Sequence, residues 1–434
     1  MPPPSTPRLR KPAASAPPVD GATAAKADPL RQLRASDLRA VARLATQATT
    51  GISRVAEGVH QSVLGTLGLP GGADPGRTRG LTGLVYQSIR GVTQLVDAGL
   101  QAGLARLEPF FAPATPSDAA HWEREAVIAA LNGVMGDRLQ RDGNPLCTRM
   151  GWYQHGLPLD LHALAAPGAA TGKLLVLVHG LCMNDLQWLH HGHDHGAHLA
   201  EALGYTPVYL RYNTGQHTST NGAELSALLT SLVASWPVPV TELSILAHSM
   251  GGLVARSACH QAAQAPAGVS EWLPLLRHLV FLGTPHHGAP LERAGHWVDV
   301  LLGSNAYSRP FARLAQLRSA GITDLRYGHV LESDWQGWDR FRKSPDQRTP
   351  VPLPAGVACH AVAATLAARR SPVGERLVGD GLVPLHSALG IHDDPARKLG
   401  FAKARQAVFY RLGHLDLLAD AGVARQLQDW MQDH

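Results

Sequence analysis

Ser249 lies in Ala247-His248-Ser249-Met250-Gly251-Gly252. An apolar run precedes it (Leu243, Ile245, Leu246, Ala247) and a helical pattern follows it (Leu253, Val254, Ala255, Arg256). Strand, sharp turn carrying a serine, helix: that is the form of a nucleophile elbow. The positions two before and two after the serine must be small, because strand and helix pass close together there. They hold Ala247 and Gly251, where the usual pattern has glycine at both. A serine hydroxyl is a poor nucleophile at its ordinary pKa. It needs a general base within hydrogen-bond reach, and the base needs an orienting acid. The chemistry of such a set is acyl transfer.

On this architecture the chain order is serine, acid, histidine. Asp380, in Val378-Gly379-Asp380-Gly381-Leu382-Val383-Pro384, is a carboxylate on a tight turn after a strand pattern, and His414 follows the last strand pattern. His414 is expected to open the last helix, at the strand C-termini where open α/β sheets gather their sites. Asp416 is too close in sequence to approach the far imidazole nitrogen easily, so Asp380 is preferred. An oxyanion hole needs two backbone N–H donors. Met250, after the serine, is one. Leu181 is the other, in Val178-His179-Gly180-Leu181, where Gly180 lets the backbone turn inward. His179, Gly180, His248 and His286 are expected to wall the site. His286 stands in Leu282-Gly283-Thr284-Pro285-His286-His287-Gly288, read as active-site floor rather than as a catalytic pair.

A histidine-rich string, His190-His191-Gly192-His193-Asp194-His195 with His198 beyond, invites a metal. His193, Asp194 and His198 could converge on one ion. The spacing matches no H-E-x-x-H or Cys/His pattern. The expectation is therefore no metal, and a polar helix start beside the oxyanion loop.

The elements that must position these residues follow from the hydrophobic pattern. Strands are expected at Cys147–Gln154, Leu157–Leu161, Leu174–Val178, Val208–Tyr212, Leu243–Ala247, His278–Leu282, Val357–Ala364 and Gln406–Tyr410. Helices are expected at Asp118–Gln140 and Ala223–Ser235, and after Ser249. Leu174–Val178 is a continuous apolar run, as in a strand buried on both faces. Strands alternating with helices imply a doubly wound, mostly parallel sheet. Thr284 to Pro354 is a long insertion placed where a lid could sit. Within it, Leu291–Leu317 is amphipathic and expected to cover Ser249.

Residues 1–28 are rich in Pro, Ala and Ser and expected to be disordered. Residues 29–112 carry two similar amphipathic stripes, from Thr50 and from Arg90, expected to form a helical hairpin. The hairpin packs on the catalytic domain or a second copy, with a lipid or polymer surface as the alternative. Residues 113–434 form the expected catalytic domain.

The chain has 434 residues, 45% hydrophobic and 17% charged, enough for a large α/β domain plus an accessory region. A formal charge of +5 is mild for this size, and no basic run interleaves with aromatics. No nucleic-acid surface is expected. Four cysteines, Cys147, Cys182, Cys259 and Cys359, lack C-x-x-C spacing and read as reduced thiols. The first residues lack the apolar core of a secretory signal, and no apolar run reaches membrane-spanning length. The expectation is a cytoplasmic protein, with peripheral membrane or granule association as the alternative.

From about Lys173 onward the chain resembles the lipase/esterase branch of the α/β-hydrolase superfamily. Within it, the chain is most similar to bacterial triacylglycerol lipases and the GPI inositol-deacylase-like group. The pieces that carry this are Val178-His179-Gly180-Leu181, Ala247 to Gly252, Gly283 to Gly288, Gly379 to Pro384 and Gly413-His414. The resemblance implies a Ser249–His414–Asp380 triad, an acyl-enzyme intermediate, a mobile lid before the acid, and no cofactor. The expected function is cleavage of carboxylic esters of apolar or lipid-like acyl substrates. A thioesterase, amidase or polyhydroxyalkanoate depolymerase with the same triad is the alternative. A non-catalytic binding protein on a hydrolase fold is the third reading. The helical region before about Asp118 has no counterpart in the core fold.

Overall fold

The computed structural model describes residues 119–266, 268–289, 318–339, 345–368 and 379–432. The expected N-terminal tail and hairpin, and the amphipathic segment Leu291–Leu317, lie outside the described residues.

The strands are β1 (Gly151–Gln154), β2 (Leu157–Pro158), β3 (Lys173–Val178), β4 (Thr206–Arg211), β5 (Glu242–His248), β6 (Leu276–Leu282), β7 (Ala358–Thr365) and β8 (Gln406–Tyr410). The helices are α1 (Ala119–Arg141), α2 (Leu161–Leu164), α3 (His195–Leu203), α4 (Thr218–Ser235), α5 (Met250–Gln264), α6 (Ala320–Asp324), α7 (Leu385–Ala388) and α8 (Ala421–Met431). The strands form one eight-stranded sheet in the order β2-β1-β4-β3-β5-β6-β7-β8. From β4 to β8 every neighbouring pair is parallel, and β1 runs antiparallel to both β2 and β4.

The side-chain alternation of the central strands explains why the sheet is covered on both faces. Leu174, Val176 and Val178 of β3, with Leu243, Ile245 and Ala247 of β5, point into one core. There they meet Leu225 and Leu229 of α4 and Leu253 and Val254 of α5. Leu175, Leu177 and Leu246 point the other way, onto Leu199 of α3 and Val423 and Leu427 of α8. Every one of these side chains is buried, each contributing about 1.5–3 kcal/mol. This double burial is why the strands read as unbroken apolar runs. Helices α4 and α5 approach closely at Gly222, where a Cβ would come within 2.3 Å of Ser257 Oγ.

Helix α1 is tied to the sheet by charge. Arg211 of β4 donates to Glu125 of α1 at 2.6 Å and to Asp185 in the loop after β3. Its guanidinium also stacks on Tyr153, 4.0 Å from the ring centroid. Breaking such a buried set by removing one member costs about 3–5 kcal/mol, because a charge is stranded.

The described parts of the insertion are built into the body. Ile322 of α6, Leu325, Val330 and Val351 belong to the same core as α5. Buried Asp324 accepts from Thr218 N at 2.8 Å and pairs with His217 at 3.0 Å, fastening α6 to the start of α4. The expectation of a lid therefore rests on the segment outside the described residues. None of the four cysteines is in a disulfide. No helix among the described residues is long and apolar enough to cross a membrane.

Candidate active site

Strand β5 ends at His248 and α5 begins at Met250, leaving Ser249 alone between them at φ 56°, ψ −127°. A side chain held in such backbone geometry costs about 1–3 kcal/mol and persists only where its surroundings enforce it. The enforcement is visible. Ser249 N donates to Leu282 O at 2.8 Å, locking the turn to the end of β6. A Cβ on Gly251 would sit 2.5 Å from Val178 O, and one on Gly180 would sit 2.9 Å from Ser249 Cβ. Ala247 is the small residue two before the serine, paired in the sheet with Val178 and Phe281. Ser249 is fully buried, and its Oγ has no hydrogen-bond partner among the described residues.

Asp380 and His414 are brought together 34 positions apart in the chain. His414 Nδ1 lies 2.7 Å from Asp380 Oδ2, and both side chains are essentially inaccessible. The other carboxylate oxygen, Oδ1, accepts from Leu382 N at 3.0 Å and Val383 N at 2.7 Å. The carboxylate is thus fixed from one side and offers the other to the imidazole. A backbone bond from His414 N to Asp380 O, 3.0 Å, doubles the link. With Nδ1–H donated to the carboxylate, a neutral ring carries its lone pair on Nε2. Asp416 accepts from Gly413 N at 2.7 Å and so supports the turn instead of the imidazole.

The end of β6 joins the two halves. Leu282 O holds Ser249 N, and Gly283, the next residue, faces the His414 ring. A Cβ there would lie 3.1 Å from both His414 Cε1 and Nδ1. Gly283 adopts φ 58°. Glycine is needed here for two reasons, the left-handed backbone and the ring against it. From the other side, His248 Nε2–H donates to His414 O at 3.1 Å, with the two rings 4.7 Å apart. Burial and the adjacent His414 hold the His248 imidazole well below its usual pKa, hence neutral.

The loop after β3 carries Leu181. Its N–H has no acceptor among the described residues. The loop is pinned on either side of it: His179 stacks on Tyr212, Tyr212 Oη–H donates to His179 O at 2.8 Å, and Cys182 N donates to Thr214 Oγ1 at 3.1 Å. Burial pushes the His179 imidazole down to about 3. Met250 N–H sits at the first position of α5, where no intrahelical acceptor exists, and the Ser249 side chain does not cap it.

One placement differs from the sequence expectation. His414 does not open the last helix. It lies in the turn after β8, a short 3-10 turn at Asp416–Leu418 follows, and α8 starts only at Ala421. The Asp416–Gly413 turn intervenes, which the helical pattern could not distinguish from a helix start. His286 packs on Phe281 and Phe401, and its carbonyl accepts from Arg348. It lines a cavity with Arg256 of α5.

The histidine string is used structurally. Asp194 caps α3 through Ala197 N and accepts from Tyr209 Oη–H at 2.8 Å. His195 is buried, with Nδ1 2.9 Å from His193 Nε2 and Nε2 2.9 Å from Leu417 O. Among the described residues no group of three or more His, Cys, Asp or Glu is arranged to hold a metal.

Thr214 and Tyr212 were not singled out by sequence. The available signal was a polar, glycine-containing string, Tyr212-Asn213-Thr214-Gly215, at the C-terminal end of a strand.

A strand order of this kind with a serine elbow after β5 defines an α/β-hydrolase fold. A family model described as a domain of unknown function (DUF7379) matches residues 150–324. No curated protein matches the chain. Among solved structures, the chain is similar to the mature form of the Bacillus licheniformis lipase BlEst2, with 19% identity and a TM-score of 0.37, over 59% of this chain and 91% of that one. It is similar to EstA from Clostridium botulinum, with 13% identity and a TM-score of 0.34, over 60% and 86%. It is also similar to the Pyrococcus furiosus esterase Pf2001, with 13% identity and a TM-score of 0.32, over 60% and 83%.

Proposed function

We propose that this protein is a serine hydrolase that cleaves carboxylic esters of apolar or lipid-like acyl groups. The observation that carries the reading is the buried His414–Asp380 pair, 2.7 Å, joined through the end of β6 to a serine in strained elbow geometry. His414 Nε2 takes the Ser249 proton as Oγ attacks the ester carbonyl, while Asp380 orients the ring and stabilises the imidazolium. The N–H groups of Leu181 and Met250 receive the oxyanion. Collapse of the tetrahedral intermediate expels the alcohol, which takes its proton from His414. Water, deprotonated by the same imidazole, then releases the acid from the acyl-enzyme. No cofactor enters these steps.

The amphipathic sequence Leu291–Leu317, outside the described residues, is the segment we propose as a lid over Ser249. Its apolar stripe disfavours opening in water by about 25 cal/mol per Å² exposed, and much less against lipid. Removing residues 1–112 is expected to leave hydrolysis of soluble esters intact and to change this response. The test is hydrolysis of a p-nitrophenyl acyl ester series carried through its solubility limit. Activity is expected, rising when aggregates form, and Ser249→Ala lowers kcat by about 10⁴–10⁶. An active Ser249→Ala protein ends the proposal. Activity linear through the solubility limit removes the lid alone.

A further inference from the structure

Two turns along α5 from Ser249, about 10 Å at 1.5 Å per residue, Arg256 is buried with 5% of its surface exposed. Its Nη2 donates to Val351 O at 2.6 Å, and its Nε–H has no acceptor among the described residues. The neighbouring arginines are neutralised: Arg348 pairs with Asp346 at 3.2 Å, and Arg397 with Asp346 and Asp394, both at 3.3 Å. Asp334, the next carboxylate, accepts from three backbone N–H groups, those of Val330, Leu331 and Thr349. Arg256 stands in no ion pair among the described residues. A guanidinium out of water without a counter-charge is among the more costly arrangements a fold can hold.

Beside it lies a cavity of about 20 Å³, lined by Arg256, His286, His287, Val330, Arg348 and Arg397. That is room for one water-sized occupant. His286 is fully buried, and neither ring nitrogen has a partner among the described residues. Burial, then the adjacent Arg256, hold its imidazole well below the usual pKa, so it is neutral and carries one N–H. Arg256 Nε–H and the His286 N–H are therefore both donors without acceptors, in a pocket whose other charged lining groups are cations.

We propose that this cavity binds a small monovalent anion, of which chloride is the size that fits, held by Arg256 and His286. The anion accepts both unspent N–H groups and supplies the missing counter-charge. It bridges the elbow helix, the loop leaving β6 and the Arg348–Val351 segment. The site is independent of the proposed ester chemistry, since Arg256 and His286 take no part in it.

The test is thermal unfolding of the full chain in sodium chloride titrated against sodium gluconate at constant ionic strength. Chloride and bromide are expected to raise Tm saturably, by about 3 °C at ten times Kd, and gluconate not at all. Arg256→Met, which removes the buried cation at similar volume, should abolish the halide response. A bromide-soaked crystal of the unsubstituted protein should show an anomalous peak within hydrogen-bond reach of Arg256 Nε, a readout that stands even if the variant does not fold. A Tm indifferent to halide, a response retained in Arg256→Met, or a cavity without bromide overturns the proposal and leaves an ordered water as the occupant.

Discussion

Two histidine-rich regions of this molecule use the same side chain in opposite ways. Around Ser249, His248 and His414 converge on the C-terminal ends of β5, β6 and β8, and His414 is aimed by a carboxylate whose second oxygen is already held. In the 190–198 string, imidazoles are denser in sequence but spent on local structure. His193 bonds His195, His195 bonds Leu417 O, and Asp194 is spent on Tyr209 and the α3 cap. Density of reactive side chains does not make a site. What separates the regions is whether the supporting bonds leave one atom aimed at a shared point.

Substitutions at the two regions should therefore differ by orders of magnitude. His414→Ala is expected to lower kcat on p-nitrophenyl esters by about 10⁴, and Asp380→Asn by a similar factor with the fold intact, because the amide favours the wrong imidazole tautomer. His193→Ala should stay within about threefold. Equal losses at His193 and His414 would erase the distinction.

A smaller effect is expected from Gly180→Ala. The added methyl meets Ser249 Cβ at 2.9 Å and His248 Nδ1 at 3.1 Å, so the oxyanion loop must shift. A loss of about 10–100-fold in kcat, with KM little changed, fits misplacement of a donor acting only in the transition state. Steady-state kinetics on a short ester separates the two constants.

The structural string should show itself in stability instead. Burial holds His195 at about 4 in the folded protein, against about 6.5 in the unfolded chain. The unfolded state gains a proton as pH falls through that window and the folded state does not, so stability present above pH about 6.5 is lost toward pH about 4. Between pH about 7 and about 5 this one group accounts for about 2 kcal/mol. His195→Gln should lower stability at neutral pH but reduce the acid loss by that amount, read from urea titrations at the two pH values. Smallest of all, Asp416→Asn weakens one exposed turn bond to Gly413, by about 0.5–1.5 kcal/mol. Activity should hold within about fivefold, whereas a loss matching Asp380→Asn would make Asp416 the acid.

How far the sequence could be read followed physical range. The strands β3 and β5 were legible because burial on both faces leaves an unbroken apolar run. Ser249, Asp380 and His414 were legible because each sits in a short glycine-punctuated turn of fixed order. The four-residue α2 was not, since Asp160 caps it through local bonds with no periodic signal. Nor was the Glu125–Arg211–Asp185 set or the His217–Asp324 pair, whose members meet only once the sheet has formed. The seat of His414 on Gly283 was hidden for the same reason, although Gly283 itself stood out.

The most direct test of the account is covalent labelling of the folded protein with a fluorophosphonate, the modified residue being located by mass spectrometry. The account predicts a single stoichiometric adduct on Ser249, formed at least about 10³-fold more slowly in His414→Ala. No adduct on Ser249, or labelling equally fast without His414, would contradict it.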